Sequence, residues 1–397
     1  MNRREFLKGA FAVAALAPLA SLLAKTGASA SLQAGTKGMS YRTLGRTGFR
    51  TSAIGMGVEG FQRKRRGEVR ELLQYAVDKG VNFLDVCVLD PELVSGFGDV
   101  IRKNRDGFVL QTHLGTVWEN GQYRRTRNVS EIRDAFRAAL QGFGTDHVEV
   151  GMIHYVDEPG DWNRVLRGDL MRYARVLKEK GTIRSIGLST HSVDIARRAV
   201  ESGFVDVLMF SINLSCDASV SGGTLTLDRE RQALYELCER EGIGLDAMKA
   251  YAGGNLLTAN SPFGAAFTPV QCLHYVLTRP GVASAMVGCS SPEEIDAALA
   301  WNSASSEERD YSKVLAKAGE STWTGYCLYC GHCAPCPKEI DIASVNKLLN
   351  LALAQKEVPD TVRDHYAVLK RHASDCIQCG ACEKRCPFGA PVREKMK

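Results

Sequence analysis

Strand-like and helix-like segments alternate along most of this chain. The alternation predicts an α/β fold, a (β/α)8 TIM barrel followed by a small cysteine-rich domain. Three observations carry that expectation. Eight short apolar runs recur between Met39 and about Leu315, with amphipathic stretches between them. Eight of the 13 cysteines crowd between Cys327 and Cys386. Residues 1–30 read as a leader rather than as part of a core. The expected organisation is therefore a leader over 1–30, a barrel over 39–318 and a second domain over 319–397.

The strand-like runs are Ser52–Gly57, Val81–Asp85, Phe108–Thr112, His147–His154, Ile183–Ser189, Val205–Ile212, Ile243–Met248 and Ala283–Gly288. Helical patterns cover Glu68–Lys79, Ser130–Gly142, Leu170–Lys180, Ser192–Ser202, Asp228–Glu241, Pro269–Thr278 and Pro292–Ala300. In the first of these, Val69, Leu72, Leu73, Ala76 and Val77 share one face at helical spacing. A doubly wound sheet is the alternative, but no GxGxxG follows the first strand.

With 397 residues, 45% hydrophobic and 24% charged, the chain has globular composition. Collagen, wholly disordered chains and disulfide-stapled miniproteins are excluded. Most of the +5 formal charge sits in the leader, where Arg3, Arg4, Lys8 and Lys25 face only Glu5. The remainder is near neutral, which gives no support to nucleic-acid binding.

The leader opens Asn2-Arg3-Arg4-Glu5-Phe6-Leu7-Lys8, continues as an apolar run from Ala10 to Leu23, and reaches Ala28-Ser29-Ala30. A charged start, a moderately apolar centre and an A-x-A cleavage site make a signal peptide. The paired arginines resemble a twin-arginine signal, which takes folded proteins across the bacterial inner membrane. The expected location is the periplasm or otherwise outside that membrane, reached through the twin-arginine machinery. The apolar run contains Pro18 and is short for a span, which needs ~20 residues. No membrane span is expected in the mature chain.

The cysteines read CLYCGHCAPCP from Cys327 and CIQCGACEKRCP from Cys376. The second is the Cys-x2-Cys-x2-Cys-x3-Cys-Pro spacing of bacterial ferredoxins, and the first is shorter by one residue. Three close cysteines let one loop hold three corners of an iron–sulfur cube, and the fourth reaches the other cluster. By that pattern one 4Fe-4S cluster takes Cys327, Cys330, Cys333 and Cys386, and the other takes Cys376, Cys379, Cys382 and Cys336. Gly331 and Gly380 relieve crowding where backbone approaches sulfur. Zinc needs only paired Cys-x2-Cys units and leaves cysteines over. Disulfides between positions three apart are strained. Two clusters are the expectation, and export of folded protein is the route compatible with them.

Tyr41-Arg-Thr-Leu-Gly-Arg-Thr-Gly48, Gly80-Val-Asn-Phe-Leu-Asp85, Ile183-Arg-Ser-Ile-Gly-Leu-Ser189 and Phe210-Ser-Ile-Asn213 together resemble the aldo/keto reductases. Members with a C-terminal two-cluster ferredoxin segment look closest, and the resemblance runs from Met39 to the C-terminus. It implies the barrel fold. It also implies hydride transfer between NADPH and a carbonyl by an Asp, Tyr, Lys and His at the barrel mouth, the Tyr donating the proton. Asp85 matches the Asp and His154 the His, whereas Asp90 stands at the Tyr position and His113 at the Lys position. Two of the four are replaced, the proton donor among them.

The implied nucleotide-binding positions are also thinned. Ser189 is kept, Thr190 and Met209 stand where the family has Asn and Gln, and no Arg or Lys closely follows Gly288 to meet a 2′-phosphate. Ser189, Asn213 and Lys249 remain as the candidate cofactor-binding residues, and NAD(P)H stays an open alternative.

Asp85, Asp90, His113, His154, His191 and Lys249 all fall at or just after strand C-termini, where barrel enzymes place their chemistry. A repurposed proton-transfer site, a relic pocket or a divalent-metal site are the readings of this set. Arg63-Lys64-Arg65-Arg66 follows the first strand and offers cationic charge to an anionic substrate or an acidic partner.

The expected function is that of an exported iron–sulfur oxidoreductase. Its electrons would pass through two clusters, to or from a redox partner protein or a small-molecule substrate at the mouth. One alternative is an electron-transfer subunit with a scaffold barrel. The other is an NAD(P)H-dependent carbonyl reductase with an altered acid.

Overall fold

The structure, a computed structural model, describes residues 38–221, 224–259, 261–315, 327, 331–353, 358, 360–386 and 389–397. The leader, Cys330 and the 318/319 boundary lie outside the described residues.

Eight strands close into a barrel in chain order. They are β1 (Ile54–Gly57), β2 (Phe83–Val86), β3 (Val109–Leu114), β4 (Val148–Ile153), β5 (Ile183–Thr190), β6 (Val207–Ser211), β7 (Gly244–Met248) and β8 (Val282–Val287). All eight pairings are parallel, and β8 returns to β1 through Ala285 beside Ile54 and Met286 beside Gly55. Both faces of these strands are covered, which is why they read as unbroken apolar runs. The expected strand over Ser52–Gly57 divides. Arg50–Ser52 pairs with Tyr41–Thr43 in an antiparallel hairpin, and the barrel strand starts at Ile54. Asn82 fixes the division, its side-chain oxygen accepting from the Ser52 amide at 2.6 Å.

Each expected helix is present, at Arg66–Asp78, Val129–Phe143, Asp169–Glu179, Val193–Glu201, Arg229–Arg240, Pro269–Leu277 and Pro292–Leu299. Two more, Pro91–Ile101 and Pro159–Arg167, were not foreseen. Both start on a proline at the first turn, where its missing N–H has no intrahelical partner to lose. Asp90 caps the first of these two, its carboxylate accepting from the Glu92 amide at 3.0 Å.

The barrel floor is closed by the N-terminal hairpin. Leu44 is wholly buried beneath Phe83, Val109, Val150, Met152, Val207 and Met209. Leu44→Ala opens a cavity in that plug and is expected to cost about 2–5 kcal/mol, read as a lower urea midpoint.

The C-terminal segment forms a separate small core. Ile340, Val345, Leu348, Val362, Val392 and Met396 pack with Cys327 and Cys382, using helices Ile342–Leu353, Asp360–Ala367, Ala381–Arg385 and Val392–Lys395. This unit sits on the C-terminal mouth of the barrel. The Asn255 side chain donates to the Cys327 carbonyl at 3.0 Å, and Tyr123 hydroxyl to the Gly331 carbonyl at 3.3 Å. Arg63 pairs with Asp341. Tyr123 belongs to a hairpin, Thr116–Glu119 with Gln122–Arg125, that sequence periodicity did not reveal. No helix among the described residues is long and apolar enough to cross a membrane.

Candidate active site

Period-two alternation decides which side chains enter the barrel. On β3, Val109 lies in the floor layer, and Gln111 and His113 follow it upward on the same face. On β2, Asp85 follows Phe83; on β4, Val150 and Met152 lead to His154 just past the strand end. Asp246 enters from β7 and is wholly buried. An apolar floor therefore gives way to a polar layer and then to a pair of imidazoles at the mouth.

These groups form one hydrogen-bonded chain. The Gln111 amide donates to Asp85 Oδ1 at 2.9 Å and to Asp246 Oδ2 at 3.0 Å. His113 Nε2 lies 3.0 Å from the same Asp85 oxygen, and His113 Nδ1 lies 2.8 Å from His154 Nδ1. His154 Nε2 is buried and has no hydrogen-bond partner among the described residues. Arg127 fixes the end of β4, donating to the His154 and Tyr155 carbonyls at 2.9 and 2.7 Å while paired with Asp161 at 2.6 Å.

Burial pushes the Asp246 carboxyl well above the ordinary carboxylate range, and the charge of Asp85 adds to the effect. Burial, followed by the positive charge of His113, His332, Arg127 and Arg125, holds His154 well below the usual imidazole range. The unfolded chain therefore binds more protons than the native one from about pH 6.5 down to the depressed native value. Stability contributed by neutral His154 is present above that window and falls as pH drops through it, by at most about 1.4 kcal/mol per pH unit. Thermal melts between pH 7.5 and 5.5 should show a steeper acid-side decline in the native chain than in His154→Gln.

The geometry can pass protons. With a proton on both ring nitrogens, His113 would donate through Nε2 to Asp85 and through Nδ1 to His154, whose own proton would then sit on Nε2. When Nε2 releases that proton to a substrate, Nδ1 receives the proton of His113 Nδ1. His113 ends neutral, still donating to Asp85, and every proton is accounted for. The reverse sequence accepts a proton at the mouth. Gln111 holds Asp85 in place and carries no proton itself.

The other sequence candidates take different places. Asp90 is a helix cap, and among the described residues no hydrogen bond joins it to His113 or His154. Ser189 is buried at the end of β5, its hydroxyl 3.5 Å from the Ile153 carbonyl. Asn213 caps the turn Leu214–Asp217 by accepting from the Cys216 amide at 2.9 Å, and donates to the Lys249 carbonyl at 2.9 Å. Lys249, left-handed at φ 64°, lies 3.6 Å from Glu59. The basic run is largely engaged within the molecule: Arg63 with Asp341, Arg65 with Glu68, and Arg66 with Asp99.

Sequence reasoning missed Gln111, Asp246, Asp157 and His332. The first two lie mid-strand, where parity alone marks them as inward. Asp157 is three residues beyond His154. It accepts from the His191 amide at 2.7 Å, from Thr190 hydroxyl at 3.0 Å, and faces His191 Nδ1 at 3.0 Å. His332, from the cysteine loop, packs on Tyr155 with ring centroids 3.7 Å apart, and Tyr155 in turn meets His154 edge-on at 4.8 Å.

Residues 53–269, more than half of the chain, match the aldo/keto reductase family. The chain belongs to that family of oxidoreductases. Residues 369–392 match a 4Fe-4S binding domain. This family member is 26% identical over 218 residues to the NADH-specific methylglyoxal reductase of Escherichia coli (strain K12), covering 51% of the chain and 62% of that protein. It is 22% identical over 331 residues to the pyridoxal 4-dehydrogenase of Microbacterium luteolum, covering 67% of the chain and 93% of the relative. In fold it is similar to a holo-form aldo-keto reductase from Bacillus halodurans, with TM-score 0.57 and 19% identity over 72% of this chain and 98% of that one.

The cysteines fit an iron–sulfur group. Cys376, Cys379, Cys382 and Cys336 line one cavity, so the fourth wall comes from the other motif. Backbone amides of Gln378 and Ala390 lie 3.4 Å from the sulfurs of Cys376 and Cys386, as donors to thiolate would. Gly331 and Gly380 have φ of 77° and 73°, a conformation that side chains rarely adopt. No disulfide joins the described cysteines.

Proposed function

We propose that this aldo/keto reductase family member is an exported iron–sulfur oxidoreductase in which two 4Fe-4S clusters would carry single electrons to or from a substrate or redox partner bound at the barrel mouth. Cys327, Cys330, Cys333 and Cys386 would hold one cluster, and Cys376, Cys379, Cys382 and Cys336 the other; when bound, they supply one-electron chemistry. One observation carries the reading: the loop bearing Cys333 also bears His332, whose ring packs against Tyr155 beside His154. The domain that gathers the cysteines thus lies one ring, Tyr155, away from His154. Asp85, His113 and His154 handle protons in place of the family tyrosine, and Asp90 acts only as a cap. The twin-arginine leader supports delivery of the folded, loaded chain to the periplasm.

A second reading, nicotinamide-linked reduction of a small aldehyde or ketone, is favoured by the name of one relative, the NADH-specific methylglyoxal reductase, and by the retained Ser189. A titration of NADH and NADPH against anaerobically prepared, cluster-replete protein separates the two. The iron–sulfur reading expects no binding up to millimolar nucleotide. Micromolar binding, seen by nucleotide fluorescence, overturns it in favour of the reductase.

A further inference from the structure

We infer that Asp157, His191 and His332 form a divalent transition-metal site joining the cysteine domain to the barrel mouth. Asp157 and His191 follow β4 and β5, while His332 is contributed by the cysteine loop. One ligand atom from each lies within 4.8 Å of the others. Asp157 Oδ2 is 3.0 Å from His191 Nδ1 and 3.9 Å from His332 Nε2. Donors that share an ion at about 2.0–2.2 Å each lie at most about 4.4 Å apart, and the separations of Asp157 Oδ2 from both imidazoles fall within that limit.

The carboxylate is already oriented for such a role. Its other oxygen, Oδ1, accepts from Thr190 hydroxyl and the His191 amide, turning Oδ2 toward the two imidazoles. His332 is clamped from outside by Tyr155, whose ring carries Arg125 at 4.4 Å on its centroid. The imidazole side chains are 3% and 7% exposed, so the donors are withdrawn from bulk water.

Two imidazoles and one carboxylate suit zinc or iron(II) far better than magnesium or calcium. Three protein ligands leave a coordination position for water or a substrate oxygen. The site differs from the cysteine sites in donor chemistry, and it stands whether or not electrons pass through the mouth.

The test uses cluster-replete full-length protein dialysed against micromolar Zn2+, then analysed for zinc, iron and sulfide. One zinc per chain is expected in the native protein. Asp157→Asn and His191→Ala should lose it while keeping native iron and sulfide. Thr190→Val, which removes only the orienting hydroxyl, should weaken binding by roughly 10–100-fold. Zinc-edge absorption should show only nitrogen and oxygen neighbours near 2.0–2.2 Å. The inference is overturned by native protein that takes up no zinc, by uptake unchanged in His191→Ala, or by sulfur neighbours at about 2.3 Å, which would place the metal on cysteines. An apparent Tm raised by Zn2+ in the native chain but not in Asp157→Asn provides a readout independent of composition.

Discussion

Cys336→Ala is expected to remove the one of the two proposed clusters that the other motif would mainly hold. Iron content is expected to fall from about eight to about four atoms per chain, and Cys379→Ala should do the same. The decisive variant is the double one. Cys336 and Cys379 line the same cavity, together with Cys376 and Cys382. If they hold one cluster, the Cys336→Ala, Cys379→Ala chain keeps about four iron atoms, as each single variant does. If each motif instead wraps its own cluster, the double variant loses both and iron falls to near zero. Anaerobic iron and sulfide analysis distinguishes these outcomes without any knowledge of substrate. The physical argument is reach: three cysteines in a tight loop occupy three corners, and the chain at the fourth, Cys336, is turned away by the Pro337 that follows it. Arg385 reinforces the pairing of motifs, donating to the Cys333 and Pro335 carbonyls at 2.5 and 2.8 Å.

The barrel was legible in the sequence because parallel strands buried on both faces leave continuous apolar runs, and amphipathic helices leave a 3.6-residue period. Features without such periodicity escaped. The helix Pro91–Ile101 buries Leu93, Val94, Gly96, Phe97, Gly98, Val100 and Ile101, so it has little polar face to announce it. The paired strands Thr116–Glu119 with Gln122–Arg125, and Ala218–Ser221 with Thr224–Leu227, are four residues each, too short to set a clear period.

The site divides in the same way. Strand ends and family resemblance singled out Asp85, His113 and His154, which the fold joins in one hydrogen-bonded chain. Asp90, set at the tyrosine position by the resemblance, caps the helix that Pro91 begins, its carboxylate accepting from the Glu92 amide. His332 had no local signal, because its partners Asp157 and His191 lie on another domain, more than a hundred residues away in sequence. Only docking of the two domains brings them together.

His154→Ala is expected to lower kcat by about 10²–10⁴, the range that a positioned acid or base contributes. As probes, methylglyoxal is offered with chemically reduced clusters or reduced nicotinamide, and pyridoxal with oxidised clusters or oxidised nicotinamide, after the names of the two relatives. Asp85→Asn and His113→Ala should fall in the same range, because each interrupts one proton path. Asp85 accepts from His113 Nε2 and His113 meets His154 through Nδ1, so no member moves a proton alone. The combined His113→Ala, His154→Ala variant should accordingly be little slower than either single variant. Asp90→Ala should leave kcat close to native once its loss of helix capping, about 1 kcal/mol, is allowed for at low temperature. That contrast decides what replaces the family tyrosine. A large loss on Asp90→Ala with little on His154→Ala would assign the proton to the cap residue and refute the relay. Full turnover in both would make the barrel a scaffold, its buried imidazole pair retained for packing alone. The relay predicts a third pattern: kcat lowered by about 10²–10⁴ in every His154 and His113 variant, with iron content and native fold unchanged.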